Sequence, residues 1–354
     1  MKRNYGIDLL RMVAMVFVIL LHLTGVGGIC ANAALFSPQF FLSQFLRIAT
    51  FCAVNCYALI SGFVGWNRTP KLSSLLRLWV KVTAFCVAIT VMTQLRAPET
   101  VGLGDLWKAF TPVKEAKYWY FNAYVGLFFF IPLLNHAIRS ITGREAVFAM
   151  VGILLLVLWL PDTRLSEVFL LANGYSALWL VILYALGGLM ARFEIPGKLP
   201  AKFWALGYLL AVLGSFVPRM VMLAMKPELW SPANSNLSMQ YINLCVILAG
   251  VCLVGLFSRL ELPEKLIPTV KALSPHAFGV FLFHTHTLVF LTAIRGQFAW
   301  LGTAPLLELL GVLLGATAFI YILGTVVDWL IDRAMAITRL DRLLKLPDRL
   351  IDRI

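Results

Sequence analysis

The stretch GIDLLRMVAMVFVILLHLTG, residues 6–25, is apolar at nearly every position. Its length matches the about 20 residues that an α-helix needs to cross the hydrocarbon core of a bilayer. Lys2 and Arg3 precede it, as in a signal peptide, but the apolar run continues past Gly25 without a small-residue cleavage site. We therefore predict that this stretch is the first helix of a membrane protein.

The composition of the whole chain supports the same prediction. Of its 354 residues, 60% are hydrophobic and 13% are charged, whereas soluble domains carry about 25% charged residues. The net charge of +13 does not indicate nucleic-acid binding, because the lysines and arginines are spread over the loops between apolar segments. The six cysteines include no C-x-x-C motif and mostly fall within apolar runs, so we interpret them as small buried hydrophobic residues.

Apolar segments recur along the chain, and we predict about ten transmembrane helices with both termini in the cytoplasm. With that orientation, twenty of the 30 lysines and arginines lie on the cytoplasmic side, as the positive-inside rule requires. The predicted fold is an all-α polytopic membrane domain over residues 1–334, in which Pro161 ends a short fifth span. A cytoplasmic amphipathic tail is predicted over residues 335–354, because charged and apolar residues alternate there at helical spacing. The predicted spans cover approximately residues 6–26, 43–66, 75–95, 118–137, 146–161, 175–191, 203–224, 239–258, 275–294 and 306–331.

Three ionisable side chains lie within the first predicted helix, where charges are costly and usually functional. Asp8 and Arg11 are three residues apart, so they can pair on one helix face. Arg11 and His22 are eleven residues apart, which places them about 20° apart around the helix and about 16 Å apart along it. This stripe suits a reaction in which a charged donor binds at the cytoplasmic end and reacts deeper, with His22 as the base that activates a hydroxyl. In the structural alternative, Arg11 reaches the lipid headgroups and His22 bonds a neighbouring helix.

Five segments together carry a resemblance to a known family. The first is the helix just described, in which Arg11 and His22 have the spacing of an Arg-x10-His signature. The other four, in chain order, are NCYALISGFV (55–64), KLSSLLRLWVK (71–81), YWYFNAYVGLFFFIPLLN (118–135) and SPHAFGVFLFH (274–284). In sequence and order these segments resemble the membrane-bound acyltransferase 3 family, and the resemblance extends over most of the chain.

The resemblance implies an integral membrane O-acyltransferase. Its members transfer an acetyl or other short acyl group from cytoplasmic acyl-CoA, mostly acetyl-CoA, to a hydroxyl of a cell-surface or lipid-linked carbohydrate. A location in the bacterial inner (plasma) membrane, contact with membrane lipid and the absence of a nucleic-acid partner are expected. His22 is the expected catalytic base, with Arg11 as its essential partner. The residues expected to bind substrate or acyl-CoA are Asp8, Arg68, Lys71, Arg77, Lys81, Ser61, Trp119 and His284.

The chain departs from the family pattern in the predicted penultimate helix. The family's tyrosine is Phe281 here and its second serine is Ala277, so a hydroxyl role is not expected at either position. His284 and His286 are two residues apart, which places them about 200° apart around a continuous helix. They therefore make a poor chelate, and we predict no metal site.

Alternative interpretations are open for several of these features. A transporter or flippase for an amino acid or lipid-linked sugar would use Arg11 and His22 to bind substrate or protons, and a purely structural role is a third possibility. Inside-positive topology equally explains the basic residues within 68–81, and an interfacial aromatic belt explains Trp119. Some family members carry an extracytoplasmic esterase-like domain. None follows the tenth segment here, so we expect the membrane domain to handle the acceptor alone or with a partner.

Overall fold

The chain folds into a bundle of α-helices, as predicted. A computed structural model describes residues 3–159, 167–231, 239–338 and 343–351, and within these ranges it contains no β-strand. In chain order over the described residues, the α-helices are α1 (Tyr5–Thr24), α2 (Ile29–Asn32), α3 (Pro38–Thr50), α4 (Ala53–Gly65), α5 (Leu72–Arg96), α6 (Leu103–Ala109), α7 (Trp119–Ser140), α8 (Gly143–Trp159), α9 (Ala177–Arg192), α10 (Ala201–Met225), α11 (Leu244–Ser258), α12 (Ile267–Leu273), α13 (Ala277–Thr285), α14 (Thr287–Val289), α15 (Leu306–Ile337) and α16 (Leu346–Ile351).

Seven helical segments are long and apolar enough to cross a membrane, which supports a multi-pass membrane protein. They are Tyr5–Asn32, Pro38–Gly65, Leu72–Arg96, Trp119–Ser140, Ala201–Met225, Glu264–Thr285 and Leu306–Ile337. Three further apolar helices, α8, α9 and α11, have 17, 16 and 15 described residues, fewer than the about 20 of a full span. Ten spans and cytoplasmic termini therefore stay predictions, and the expected end of the fifth span at Pro161 lies outside the described residues.

Helix α1 lies inside the bundle and contacts α3, α4, α11, α13 and α15. It begins after Asn4, whose side-chain oxygen accepts a hydrogen bond from the backbone N–H of Ile7 at 3.1 Å, as an N-cap residue does. The side-chain amide of Asn4 also donates to the carbonyl oxygen of Ser258 at 2.7 Å. This second bond fixes the start of α1 against the end of α11.

The crossing of α4 and α9 requires glycine on both helices. A Cβ atom built on Gly62 would lie 1.9 Å from the carbonyl oxygen of Tyr184, and one built on Gly187 would lie 2.0 Å from that of Leu59. Such close approach of two backbones through small residues is typical of helix pairs in membranes. Gly62 of the NCYALISGFV segment therefore serves helix packing.

Within the part of the chain that the structure describes, two of the predicted spans are not continuous helices. The second is divided into α3 and α4 by a turn at Phe51 and Cys52. The predicted span 275–294 breaks at His286, which has φ −58° and ψ 130° between α13 and α14. Because His286 has left the helix, the about 200° separation expected between His284 and His286 does not apply.

A short helix close to the C-terminus packs on the start of α5. The backbone N–H of Ser73 donates to Oδ1 of Asp348 at 3.0 Å, and the Ser73 hydroxyl donates to Oδ2. These hydrogen bonds hold the pKa of the Asp348 carboxyl below its usual value. Of the predicted tail, residues 339–342 and 352–354 lie outside the described residues, and its binding to the membrane surface stays a prediction.

Candidate active site

One face of α1 lines three cavities that follow one another along the helix. Arg11, Met15, Val18 and His22 are three or four residues apart, so their side chains project from the same face. We call this row of side chains the α1 stripe. Arg11 lines the first cavity, Met15 and Val18 line the second, and His22 lines both the second and the third. We call them the Arg11 pocket, the aromatic cavity and the Arg47 pocket.

The Arg11 pocket lies at the N-terminal end of α1 and has a volume of about 550 Å³. Asp8 pairs with Arg11, Oδ1 to Nη1 at 2.5 Å, as their spacing predicts. It also pairs with Arg3, Oδ2 to Nε at 2.6 Å. Arg68 lines the pocket as well, so three guanidinium groups face one carboxylate. The pocket is therefore positively charged and suited to phosphate groups. Its lining residues are Arg3, Asn4, Ile7, Asp8, Arg11, Phe63, Val64 and Arg68.

The aromatic cavity occupies the middle of the α1 stripe, with a volume of about 230 Å³. Tyr57 links the lining to the residue that faces the Arg11 pocket, because its hydroxyl donates to the carbonyl oxygen of Arg11 at 2.7 Å. His22 is the one residue with an ionisable imidazole in the lining. The lining residues are Met15, Val18, Leu21, His22, Val54, Tyr57, Tyr118, Trp119, Tyr120, Tyr241, Phe278, Phe281, Thr285 and Phe290.

A chain of hydrogen bonds fixes the proton positions of His22. Nδ1 of His284 lies 2.6 Å from the carbonyl oxygen of Val280. A carbonyl oxygen only accepts, so Nδ1 of His284 carries a proton and Nε2 of the neutral ring is an acceptor. Nε2 of His284 lies 3.1 Å from Nδ1 of His22, so His22 donates from Nδ1. The lone pair of the neutral His22 ring is then on Nε2, the nitrogen a general base would use.

The Arg47 pocket begins where the aromatic cavity ends, at the C-terminal end of α1, and has a volume of about 380 Å³. Four residues line both spaces: Leu21, His22, Tyr241 and Phe290. The His22 imidazole and the Phe290 ring lie nearly perpendicular to each other, with 5.1 Å between centroids. The remaining lining residues are Gly25, Val26, Arg47, Phe51, Asn173, Tyr175, Met239 and Gln240. His22 therefore stands between an aromatic and a polar space.

Comparison with known proteins identifies the family. A family model described as an acyltransferase domain, the acyltransferase 3 model, matches residues 4–325. The chain belongs to the acyltransferase 3 family. No similar curated protein and no similar solved structure was found. The family assignment and the apolar helices together make this chain a membrane acyltransferase.

The cavities along the α1 stripe bring together several of the residues that the sequence predicts for the site of this acyltransferase. Arg11, Asp8 and Arg68 meet in the Arg11 pocket. Trp119 lines the aromatic cavity, and His284 is the hydrogen-bond partner of His22.

Other expected donor-binding residues of the acyltransferase lie apart from these cavities. The Ser61 hydroxyl donates to the carbonyl oxygen of Tyr57 at 2.8 Å, inside its own helix. Lys71 and Arg77 are exposed and line none of the three cavities. Lys81 is 12% exposed and pairs with two aspartates.

Among the described residues, one group of three side chains is spaced closely enough to hold a metal ion, and Lys81 pairs with two of its members. His276, Asp328 and Asp332 place ligand atoms within 4.8 Å of one another. The Lys81 ammonium lies 3.0 Å from Asp328 and 2.9 Å from Asp332, so it bridges the two carboxylates, and Nδ1 of His276 lies 2.7 Å from Asp328. The cluster is best described as an ion-pair network that joins α5 to α15.

Sequence reasoning missed Tyr57, Tyr241, Phe290 and Arg47. Tyr57 lies in the NCYALISGFV segment, four residues before Ser61. Because Ser61 was an expected site residue, this helical spacing was the signal that could have identified Tyr57. Arg47 was visible as a charge within a predicted span, which is itself a functional signal. Phe281 lines the aromatic cavity, so the family's tyrosine hydroxyl would face the same space.

Proposed function

We propose that this acyltransferase transfers an acetyl or other short acyl group from cytoplasmic acyl-CoA to a hydroxyl of a cell-surface or lipid-linked carbohydrate, with His22 as general base. The observation that carries the proposal is the continuous stripe along α1. The aromatic cavity lies along α1 between a positively charged pocket and a polar pocket, and His22 lines both the aromatic cavity and the polar pocket.

The donor would enter at the Arg11 pocket. The phosphates of acyl-CoA match the guanidinium groups of Arg11, Arg3 and Arg68, and the Asp8 pairs hold Arg3 and Arg11 in place. Lys71 and Arg77 would add charge at its approach. The pantetheine arm of acyl-CoA is long and slender, so it would extend past Tyr57 and carry the thioester along Met15 and Val18 towards His22.

The acceptor hydroxyl would approach from the Arg47 pocket. Nε2 of His22 accepts the hydroxyl proton as the oxygen attacks the thioester carbonyl carbon. The C–S bond then breaks, and His22 returns the proton to the leaving thiolate. His284 positions the imidazole through its bond to Nδ1 and touches neither substrate. Trp119 would stack on a sugar ring of the acceptor.

The first test measures transfer of radiolabelled acetyl from acetyl-CoA in bacterial inner membranes that contain the protein. We expect label in envelope glycan or lipid-linked sugar, and loss of about 10²–10⁴-fold in rate for His22→Ala. His136→Ala is the matched control, because His136 is an exposed histidine on α7. Near-normal transfer by His22→Ala at equal protein level would refute the assignment of the base.

Transport is the second candidate function, and the break at His286 favours it. Interrupted helices at a central site are typical of secondary transporters, and the α1 stripe could equally bind an amino acid or a lipid-linked sugar. Proteoliposomes without acyl-CoA distinguish the two functions. Substrate flux under these conditions would support transport, whereas no flux together with His22-dependent acetyl transfer would exclude it.

A further inference from the structure

A buried arginine forms one wall of the Arg47 pocket. Arg47 lies in the last turn of α3 and is 5% exposed, yet it lines the same pocket as His22. Its guanidinium packs against the backbone after α1: a Cβ atom built on Gly25 would lie 3.2 Å from Cζ and 3.3 Å from Nη2. Gly25 therefore lets the charge approach the end of α1, three residues beyond His22.

A second buried arginine stands behind the first. Arg219 on α10 is 4% exposed, and its Nε donates to Oε1 of Gln44 at 3.2 Å. Gln44 and Arg47 are three residues apart on α3, so they share a helix face. The two guanidinium groups are close enough to repel each other electrostatically. Because arginine keeps its charge in proteins, the pair creates a positive potential at this end of the stripe.

The rest of the pocket is suited to a polar ligand with a ring. Tyr175 and Tyr241 line it, and the Trp119 ring contacts both, with centroids 4.5 Å and 5.9 Å away. Asn173 and Gln240 supply amide groups. Among the described residues that line the pocket there is no carboxylate side chain. The lining thus combines an aromatic surface, amides and a positive charge.

A structural role for Arg47 explains only part of this arrangement. A cation in the last turn of a helix interacts favourably with the helix dipole, and that role needs no cavity. It does not explain why the guanidinium lines a pocket shared with His22, or why a second arginine lies behind it. Charged side chains in membrane segments usually face a cavity that a substrate enters.

We propose that the Arg47 pocket is an anion-recognition subsite, in which Arg47 binds a carboxylate or phosphate group of the acceptor and so presents the acceptor hydroxyl to His22. The planar guanidinium can donate two parallel hydrogen bonds to either group, and Arg219 adds to the local positive charge. The acceptor is therefore an anionic saccharide. This inference rests on the proposed function, because it names the substrate class of the same site.

The test uses sugars with the same glucose-type ring that carry a neutral or an anionic group at carbon 6. Methyl glucuronide and methyl glucoside share the ring, and glucose 6-phosphate provides a phosphate in place of the carboxylate. Binding is measured without acyl-CoA, as the rise of the thermal unfolding midpoint of the purified full-length protein. The variants are Arg47→Gln and, as matched control, Arg295→Gln, since Arg295 is exposed and lines none of the three cavities.

We expect at least one anionic sugar to bind the wild type and Arg295→Gln about 10–100-fold more tightly than the glucoside, and Arg47→Gln to lose this preference. Which anionic sugar binds identifies the group as carboxylate or phosphate. Equal binding of charged and neutral sugars by the wild type, or a preference that persists in Arg47→Gln, would overturn the proposal. If Arg47→Gln does not fold, Arg47→Lys replaces it, because lysine lacks the planar fork. A preference reduced at least threefold supports the subsite, and an unchanged preference overturns it.

Acetyl transfer to the same sugars separates this inference from the proposed function. Binding that depends on Arg47, without any His22-dependent transfer, would contradict acyl transfer and leave the anion subsite standing. His22-dependent transfer with no preference for charged acceptors would contradict the anion subsite and leave acyl transfer standing.

Discussion

The bond between His284 and His22 can be tested with two amide substitutions of nearly equal chemistry. In His284→Gln, the side-chain amide reaches the position of Nε2, so its oxygen can still accept the proton from Nδ1 of His22. In His284→Asn, the shorter amide reaches the position of Nδ1. It can still donate to Val280, but it cannot reach His22. Only the glutamine variant should keep the His22 proton on Nδ1.

The expected effect follows from the bonds that each variant keeps. The 3.1 Å contact is the only hydrogen bond of His22 Nδ1 among the described residues. An unsatisfied N–H at this buried place costs about 1–3 kcal/mol, and each 1.36 kcal/mol corresponds to about tenfold in rate. We therefore expect His284→Asn to lower kcat about 10–100-fold. His284→Gln should stay within about fivefold of the wild type, a loss of about 1 kcal/mol or less.

The assay is the initial rate of acetyl transfer with saturating acetyl-CoA, together with the thermal unfolding midpoint of each variant. His22→Ala sets the level reached without the base. Equal rates for the two amide variants would contradict the proton chain, as would a faster asparagine variant. A folded glutamine variant as slow as His22→Ala would show that His284 contributes more than positioning.

Three further predictions concern stability. Gly187→Leu should destabilise the protein by about 1–3 kcal/mol or more, because its Cβ would overlap the facing backbone; a midpoint equal to that of the wild type in detergent would count against this reading of the α4–α9 crossing. Asp328→Asn should cost about 1–3 kcal/mol, because the buried carboxylate loses its ion pair with Lys81 while Asp332 still pairs with the ammonium. The loss should be smaller in a Lys81→Met background, and equal losses in the two backgrounds would contradict the coupling. Docking of α16 on α5 should depend on pH, because the hydrogen bonds from Ser73 lower the pKa of the Asp348 carboxyl. The stabilisation of this contact should be full above the ordinary carboxyl pKa of about 3.9 and should be lost as the pH falls through the lowered pKa. A spin label in the tail should gain mobility over that range, and Ser73→Ala should weaken the dependence; a label whose mobility is the same at every pH would refute it.

The α1 stripe was predictable because it depends only on the helix period. The Asp8–Arg11 pair and the alignment of Arg11 with His22 follow from spacings of three and eleven residues in one helix. All of the information needed for such local geometry lies within one segment. For the same reason the all-α fold class followed from apolar runs alone.

Contacts between distant segments could not be predicted in this way. His22 and His284 are separated by 262 residues, and only the packing of α13 against α1 brings them together. Lys81 was expected to bind acyl-CoA because it belongs to the basic segment 71–81 that resembles the family's, but its ion-pair partners on α15 cannot be inferred from that segment. The break at His286 was likewise not predictable, because no glycine or proline, the usual helix-breaking residues, lies beside it.

Under the proposed function, the distribution of polar groups along the stripe has a physical reason. A thioester is hydrolysed if water reaches it beside a base, so the space around His22 must exclude water until the acceptor arrives. The aromatic lining from Tyr57 to Phe290 provides that exclusion, but it cannot attract two highly polar substrates. Arg11 at one end and Arg47 at the other supply the attraction where charge is tolerated. A neutral histidine pair between them avoids a permanent charge in the middle, so the catalytic base can remain dry and still be reached from both ends.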